Sequence, residues 1–282
     1  MLRSLSVELR GALEVLRGDD EIPCVRGKKR RIYFHDGCHV YDSAKTTSEV
    51  MQHHSEAGAA VNAAIVRAFA LRGGIIVHGL AFEHRGKGYL ALGDSGSGKS
   101  TLATAILLAG GRVVSDDLVL LGSASDGRVR ALPFRADMVL RDQSYQRFRA
   151  RLELNKLGLD ELHVAGERKW RISRARYPGC FIQAVSVAAV LRLVGPGGEG
   201  NSVVNRVTQA EGYAAIVRDN YFFNSPHPLE QSAMSRTLGC LLSAVSVLKV
   251  VPARRLLSRP VEEVDGLLRR VEKHACQHHL HL

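Results

Sequence analysis

The chain has 282 residues, of which 45% are hydrophobic and 6% aromatic, and its formal net charge is +11 at pH 7. This composition supplies a sizeable aliphatic core for one large domain and a smaller one. The positive charge suits an anionic partner. No aromatic residues interleave with the basic ones and no apolar run is long enough to span a bilayer, so we expect neither a nucleic-acid nor a membrane partner.

The cysteines favour a reducing compartment. They are five in number, widely spread, and form no CxxC pair. The first residues carry charges and lack an apolar signal core. We therefore expect a cytoplasmic protein with reduced thiols. Whether it forms a homo-oligomer is left open by the sequence.

Residues 1–70 are interpreted as a small accessory region in front of a nucleotide-binding domain. The predicted features are helices at 1–17 and 55–71, a basic cluster at Arg26–Arg31, and a hairpin of strands Ile32–Phe34 and His39–Tyr41.

The most informative segment is a glycine-rich octapeptide, Gly93–Ser100, with the sequence GDSGSGKS. It fits G-x-x-x-x-G-K-[ST], the Walker A or P-loop pattern, and lies between a predicted strand and a predicted helix, Thr101–Leu108. Its glycines let backbone N–H groups turn toward phosphate oxygens, and the helix N-terminus adds a positive dipole end. In this pattern Lys99 reaches the β- and γ-phosphates, and the Ser100 hydroxyl ligates Mg²⁺. The residues expected to contact the nucleotide are Gly93, Asp94, Ser95, Gly96, Ser97, Gly98, Lys99, Ser100 and Thr101.

Two adjacent carboxylates follow the next predicted strand, Arg112–Ser115. Asp116 and Asp117 end this apolar strand, close enough in sequence to reach the phosphate site. One carboxylate is expected to hold Mg²⁺ and the other to accept a proton from an attacking hydroxyl. His78 lies on an earlier strand, predicted over Ile75–Phe82. Its residue type alone does not separate a core histidine from a site residue.

The remaining elements are predicted from periodicity and from helix start and stop signals. They are a helix over 141–162, strands at Ala184–Val194, Ser202–Val207 and Leu248–Leu256, helices at about 209–218 and 228–245, and a last helix starting at Arg259-Pro260. Residues 271–282 are predicted to form a flexible His-rich tail whose spacing does not fit a closed zinc site.

The segments Val77-His78-Gly79, Gly93–Ser100 and Gly110–Asp117 together resemble the catalytic domain of bacterial HPr kinase/phosphorylase. The resemblance extends over about residues 73–135. It implies an α/β fold with the P-loop core shared by HPr kinase and phosphoenolpyruvate carboxykinase. It also implies catalytic roles for Lys99, Asp117 as the base, His78 beside that base or the transferred phosphate, and Asp116 with Ser100 near the metal.

The implied activity is transfer of a phosphate from ATP, with Mg²⁺, to a serine of a peptide or small protein. Looser relatives of this type accompany peptide natural-product clusters, which makes a ribosomal precursor peptide one acceptor class. The family signature Glu-(Ile/Leu)-Arg-Gly-Leu-Gly has no equivalent here, because the corresponding segment is Met138–Ser144. This departure disfavours phosphorylase activity and leaves a second metal ligand unassigned, with Asp142 as a weak candidate.

Two other classes remain open: a kinase of a small hydroxylated metabolite, and a non-catalytic regulator that binds ATP or GTP and a peptide. We assign residues 71–270 to the catalytic domain. The cations considered for stabilising the transferring phosphoryl group are Arg135, Arg141, Lys169 and Arg171. The basic run Arg168–Arg176 is interpreted either as a binding surface for an acidic peptide or for the phosphates of the nucleotide, or as a solvent-exposed face. The aromatic cluster Asn220–Asn224 is interpreted as core.

Overall fold

The computed structural model describes residues 32–35, 39–42, 74–124, 128–134, 137–164, 166–195, 202–219, 235, 238–243 and 245–276. They form a mixed α/β fold with one large sheet and two smaller ones. Several predictions lie outside these residues: the helices at 1–17 and 55–71, the Arg26–Arg31 cluster, Arg135 and the Asn220–Asn224 cluster.

The elements of the first half follow the prediction closely, except for the last of them, a strand at Met138–Arg141 that has no counterpart in the prediction. They are β1 (Ile32–His35), β2 (His39–Asp42), β3 (Ile75–His84), β4 (Lys87–Leu92), α1 (Lys99–Leu108), β5 (Arg112–Ser115), β6 (Leu118–Ser123), β7 (Val129–Pro133) and β8 (Met138–Arg141). The predicted N-terminal hairpin is confirmed, because β1 pairs with β2 in antiparallel register.

The second half begins with a helix and a small sheet. Its elements are α2 (Asp142–Leu154), β9 (Asp160–Val164), β10 (Glu167–Ile172), a 3₁₀ turn (Pro178–Cys180), β11 (Val185–Leu193), β12 (Val203–Arg206), α3 (Gln209–Asp219), β13 (Ser246–Val251), α4 (Arg255–Ser258) and α5 (Pro260–Cys276). Residues 238–243 are also helical, within the predicted 228–245 helix.

The large sheet has the order β12-β13-β11-β4-β3-β6-β7, with β5 paired to β3. Strand β11 runs parallel to β4 and β13, whereas β3 is antiparallel to β4, β5 and β6. Because β7 also pairs with the start of β11, five strands of this sheet close into a ring. The large sheet therefore holds β3 and β4, which carry the predicted site, at its centre.

Both faces of the central strands are covered. Strand β3 is buried at nine of its ten residues, with only His78 partly exposed, as expected of a strand packed on both sides. One face packs on α1, α2, α5 and the small sheet, including Leu102, Phe148 and Leu267. The other face packs on α3 and the interior of the ring, including Ile216. Helix α1 is apolar nearly all round and is correspondingly buried.

The predicted helix over 141–162 is wrong in its second half. Helix α2 ends at Leu154, and residues 160–164 form strand β9, which pairs with β10. The chain turns at Lys156, which has a φ of 57°, and Asn155 folds back to donate to the Arg151 carbonyl over 2.8 Å. A helix could not continue through this left-handed residue.

Two C-terminal predictions also need correction. The strand predicted over Leu248–Leu256 ends at Val251, before Pro252, and its last residues belong to the short helix α4. The tail predicted to be flexible from residue 271 is helical as far as Cys276. Arg206 contributes to this order by donating to the His274 carbonyl over 2.6 Å. Residues 277–282 lie outside the described residues.

Within the described part of the chain, no helix is both long and apolar enough to cross a lipid bilayer.

Candidate functional site

The glycine-rich loop connects the buried end of β4 to the start of α1. Gly96 and Gly98 have φ values of 84° and 100°, and a Cβ at either would meet nothing within 4 Å. The Ser97 amide donates to the Asp94 carbonyl over 3.0 Å, which closes the turn. The sequence folds this way because glycine adopts left-handed backbone conformations without steric cost. The open side of the loop is therefore bare backbone that a ligand can approach.

Lys99 is the first residue of α1 and is 7% exposed. Its ammonium group donates to the carbonyls of Gly93 and Asp94, the latter over 3.1 Å. These contacts hold the side chain against the loop from which it projects. The positive charge thus lies beside the N-terminus of α1, where the helix dipole adds to it.

The two aspartates lie in the turn between β5 and β6, and β3 positions this turn. Both β5 and β6 pair with β3, which places Ser115 opposite Ala81 and Leu118 opposite His78. The Gly79 amide also donates to the Asp117 carbonyl over 2.8 Å. This register brings His78 Nε2 to 3.4 Å from Asp117 Oδ1. The sequence-predicted pair is thus brought together by strand pairing.

The two aspartates differ in exposure and in partners. Asp116 is 8% exposed, and its Oδ2 accepts a hydrogen bond from the Val139 amide over 3.2 Å. The side chain of Asp117 is 38% exposed. Since a proton acceptor must reach the substrate, Asp117 is the better placed of the two for that task, and Asp116 for a fixed, orienting role.

These residues face one cleft of about 430 Å³. The loop contributes Ser95, Gly96, Gly98, Lys99, Ser100 and Thr101, and the opposite side contributes His78, Asp116 and Asp117. The cleft therefore joins the predicted phosphate-binding residues to the predicted acid–base residues.

Three of the predicted nucleotide contacts do not line this cleft. Gly93 is packed behind the loop, where a Cβ would lie 2.6 Å from the Leu193 carbonyl oxygen. Ser97 Oγ is buried and has no hydrogen-bond partner in the part of the chain that the structure describes. Asp94 turns toward α3, where its carboxylate lies 3.5 Å from Arg218. Gly93 and Ser97 are thus packed behind the loop, whereas the side chain of Asp94 is exposed.

The small sheet β8-β10-β9 and the first turns of α2 form the remaining wall. Their cleft-lining residues include Asp137, Arg141, Arg147 and Lys169. Arg141 also donates to Ser95 Oγ over 3.2 Å, which ties this wall to the glycine-rich loop. Of the four cations predicted to stabilise a phosphoryl group, Arg141 and Lys169 thus lie at the cleft.

Most of the arginines in the basic run Arg168–Arg176 make contacts away from the cleft. Arg171 and Arg176 pair with Asp160. Arg174 is buried, donates to the Val114 carbonyl over 2.7 Å, and lies over the Phe181 ring. Neither Arg171 nor Arg174 lines the cleft. These arginines therefore make structural contacts, to Asp160 of the small sheet and to β5, and Lys169 is the residue of the run that lines the cleft.

Asp142, the weak candidate for a second metal ligand, is also engaged and does not line the cleft. Its carboxylate accepts from the Trp170 indole N–H over 2.8 Å and from Arg168. The Trp170 hydrogen bond, more than Arg168, holds the pKa of Asp142 below its usual value despite some burial. Asp142 thus fastens α2 to β10, and a ligand role is not supported.

Sequence reasoning missed Asp137 and Arg147. A signal for Arg147 existed, since Gln143, Ser144 and Arg147 share one helical face after Arg141 and all line the cleft. Asp137 had no such signal. It is held at the cleft by the Arg174 amide, which donates to it over 2.8 Å from a distant part of the chain.

The backbone and the positive charge of the site both suit a nucleotide phosphate. Helix α1 has no side-chain cap and no acidic residue in its first turn, so its first N–H groups are available to an anion. For a divalent cation the described residues offer no cluster of three or more His, Cys, Asp or Glu side chains. A metal here would be held by Ser100 and Asp116 together with phosphate and water oxygens, an arrangement that suits Mg²⁺.

The sequence of the chain is similar to that of a curated protein. No protein-family model matches the chain. The chain is 31% identical over 99 residues to HPr kinase/phosphorylase from Lachnoclostridium phytofermentans. The match covers 34% of this chain and 28% of the relative, so the chain spans well under half the length of the curated protein.

Among solved structures, the chain is similar to the HPr(Ser) kinase/phosphatase from Coxiella burnetii, with a TM-score of 0.36 and 14% identity. This alignment covers 70% of this chain and 98% of that one. At this TM-score and identity, the relationship rests on the sequence match. That match confirms the resemblance predicted from the glycine-rich loop and the paired aspartates: the chain is HPr kinase-like over about a third of its length.

Proposed function

We propose that this chain is a phosphotransferase that moves the γ-phosphate of ATP to a serine hydroxyl of a peptide or small protein. The observation that carries the proposal is the single cleft in which Lys99 and Ser100 of the glycine-rich loop face the His78–Asp117 pair. Residues 71–270 would form the catalytic domain, with a P-loop core of the kind found in HPr kinase and phosphoenolpyruvate carboxykinase.

The nucleotide would bind along the loop and the N-terminus of α1. The Lys99 ammonium would exchange the carbonyls of Gly93 and Asp94 for phosphate oxygens, which carry more negative charge. Mg²⁺, held by Ser100 and Asp116, would offset the negative charge of the phosphates.

The chemical step requires a base close to the acceptor hydroxyl. Asp117 would take the serine proton, and the serine oxygen would attack the γ-phosphorus in line. The bond from phosphorus to the β–γ bridging oxygen breaks, and ADP leaves with the electron pair. Lys99 and Arg141 would spread the charge of the transferring group, while His78 orients the Asp117 carboxylate.

A mass-shift assay tests this function. The full chain, ATP and Mg²⁺ are incubated with peptides encoded beside its gene, and Asp117→Asn serves as the variant lacking the base. We expect one phosphate to be added to a serine, and the variant to lose at least about 100-fold in rate with ATP affinity nearly unchanged.

The other function classes give different results in the same assay. Turnover of hydroxylated metabolites without any peptide would indicate a metabolite kinase. ATP binding without transfer to any acceptor would indicate a non-catalytic regulator. Loss of ATP binding in Asp117→Asn would assign Asp117 to the metal. Replacing ATP by GTP in the binding step establishes which nucleotide is preferred.

A further inference from the structure

One wall of the cleft is a regular face of the small sheet. Lys169 on β10 lies directly opposite Arg141 on β8 and directly opposite Leu162 on β9. Side chains directly opposite each other in antiparallel strands lie on the same face of the sheet. All three residues line the cleft, so they form one row across this wall, with two cations side by side.

Two adjacent like charges in this position are costly unless an anion lies between them. Arg147 adds a third positive charge from helix α2. Among the described residues, no carboxylate lies within ion-pair distance of Arg141 or Arg147, and the nearest to Lys169 is the exposed Glu167, at 3.6 Å. The wall therefore brings three positive charges to the cleft and one carboxylate, that of Asp137.

Neighbouring cations of the same elements are neutralised. Arg168 pairs with Asp142, Arg171 with Asp160, and Arg149 with Glu153. Arg141 and Arg147, which line the cleft, thus have no acidic partner among the described residues, whereas these three arginines have one. Arg151 of α2 also points away from the cleft and donates to the carbonyls of Leu257 and Ser258 instead. Packing of α2 against the sheet does not require Arg141 and Arg147 to lack acidic partners. Their charges therefore point to a ligand in the cleft.

We propose that Arg147 and Lys169 bind the acceptor, and that the acceptor is an acidic peptide whose carboxylates lie beside the serine. This inference rests on the proposed function. Lys99 and Arg141 contact the glycine-rich loop and serve the nucleotide, whereas Arg147 and Lys169 extend the positive surface beyond it. An acidic side chain next to the serine would form charge-assisted hydrogen bonds to them, and Leu162 would pack against its apolar part.

Peptide binding tests the inference independently of phosphate transfer. Three fluorescent peptides of equal length carry one serine flanked by Glu, by Gln or by Lys, and their affinity for the full chain is measured by anisotropy with Mg²⁺ and a non-hydrolysable ATP analogue. The variants are Arg147→Gln and Lys169→Gln, and the matched control is Arg149→Gln, two residues from Arg147 on the same helix. Affinity for the ATP analogue is measured in parallel.

We expect the Glu peptide to bind at least about tenfold more tightly than the Gln peptide, and the Lys peptide to bind most weakly. Arg147→Gln and Lys169→Gln should each remove most of this preference, with affinity for the ATP analogue changed by less than about threefold, and Arg149→Gln should retain the preference.

Three outcomes of the binding measurements would overturn the inference. The first is equal binding of the Glu and Gln peptides, or no binding of either. The second is a preference for the Glu peptide that persists in both Arg147→Gln and Lys169→Gln. The third is a loss of affinity for the ATP analogue alone in these variants, which would assign both cations to the nucleotide. Phosphorylation of the Gln peptide as readily as the Glu peptide would refute the inference while leaving the serine kinase standing. Absence of phosphate transfer with the binding preference intact would refute the kinase alone.

Discussion

His78 Nε2 lies 3.4 Å from Asp117 Oδ1, across the register that pairs β3 with β6. The two residues are far apart in sequence. His78 is the one partly exposed residue of the otherwise buried strand β3, and it faces the turn that carries the aspartates. This contact positions the Asp117 carboxylate, and it makes the role of His78 testable separately from the proposed proton transfer to Asp117.

Substituting His78 by Ala should lower kcat about 10- to 100-fold while changing the KM for ATP little, because a positioning contact acts on the reacting geometry. His78→Gln should recover part of the loss, since its side-chain amide can still donate to Asp117. Steady-state kinetics of both variants measure this. An increase in KM with kcat unchanged would show that His78 contributes to binding.

Replacing Lys99 by Met should abolish stabilisation by nucleotide. Ligand binding to the folded state raises the Tm by an amount that grows with the logarithm of ligand concentration over Kd, and Lys99 supplies the buried positive charge at the loop. We expect ATP and Mg²⁺ to raise the Tm of the parent chain and to leave that of Lys99→Met nearly unchanged. An unaltered Tm shift in the variant would contradict a phosphate-binding role for Lys99.

The two glycines of the loop should respond differently to a methyl group. At Gly93 a Cβ would lie 2.6 Å from the Leu193 carbonyl oxygen and 2.7 Å from Ser97 Oγ, so Gly93→Ala should lower the free energy of unfolding by about 2 kcal/mol or more. At Gly96 the space is open, and only the φ of 84° opposes the change, which costs about 1 kcal/mol. Urea unfolding of both variants checks the order. Equal losses would indicate that the loop relaxes around residue 93.

The Glu83–Arg112 pair should make stability depend on pH. Burial raises the pKa of Glu83, but hydrogen bonds from the Gly86 amide and Arg112, with the charge of Arg112, outweigh it and leave the pKa lowered. A carboxyl with a lowered pKa in the folded state contributes stability at neutral pH, and this is lost as pH falls through that pKa. Glu83→Gln should therefore cost about 1–2 kcal/mol at pH 7 and progressively less below about pH 4. A loss independent of pH would point to packing.

Local patterns predicted the elements that build the site. The apolar stretches of β3 and β4, the glycines of residues 93–98 and the apolar stretch before Asp116 each carry their signal within a few residues, and the structure agrees with them. The prediction failed where pairing between distant segments decided the outcome. Residues 160–164 have a helix-like charge pattern, and they form a strand because β10 supplies hydrogen bonds to them.

The sequence by itself determined the glycine-rich loop, the Asp116–Asp117 turn and the central strands, because backbone freedom and hydrophobic periodicity are local properties. Only the tertiary structure decided which charges face the cleft. Arg147, Lys169 and Arg171 each carry one positive charge, and their surroundings differ because Asp160 pairs with Arg171 while strand register and helix phase turn the other two toward the cleft. Charge compensation depends on the spatial proximity of residues that the chain places far apart.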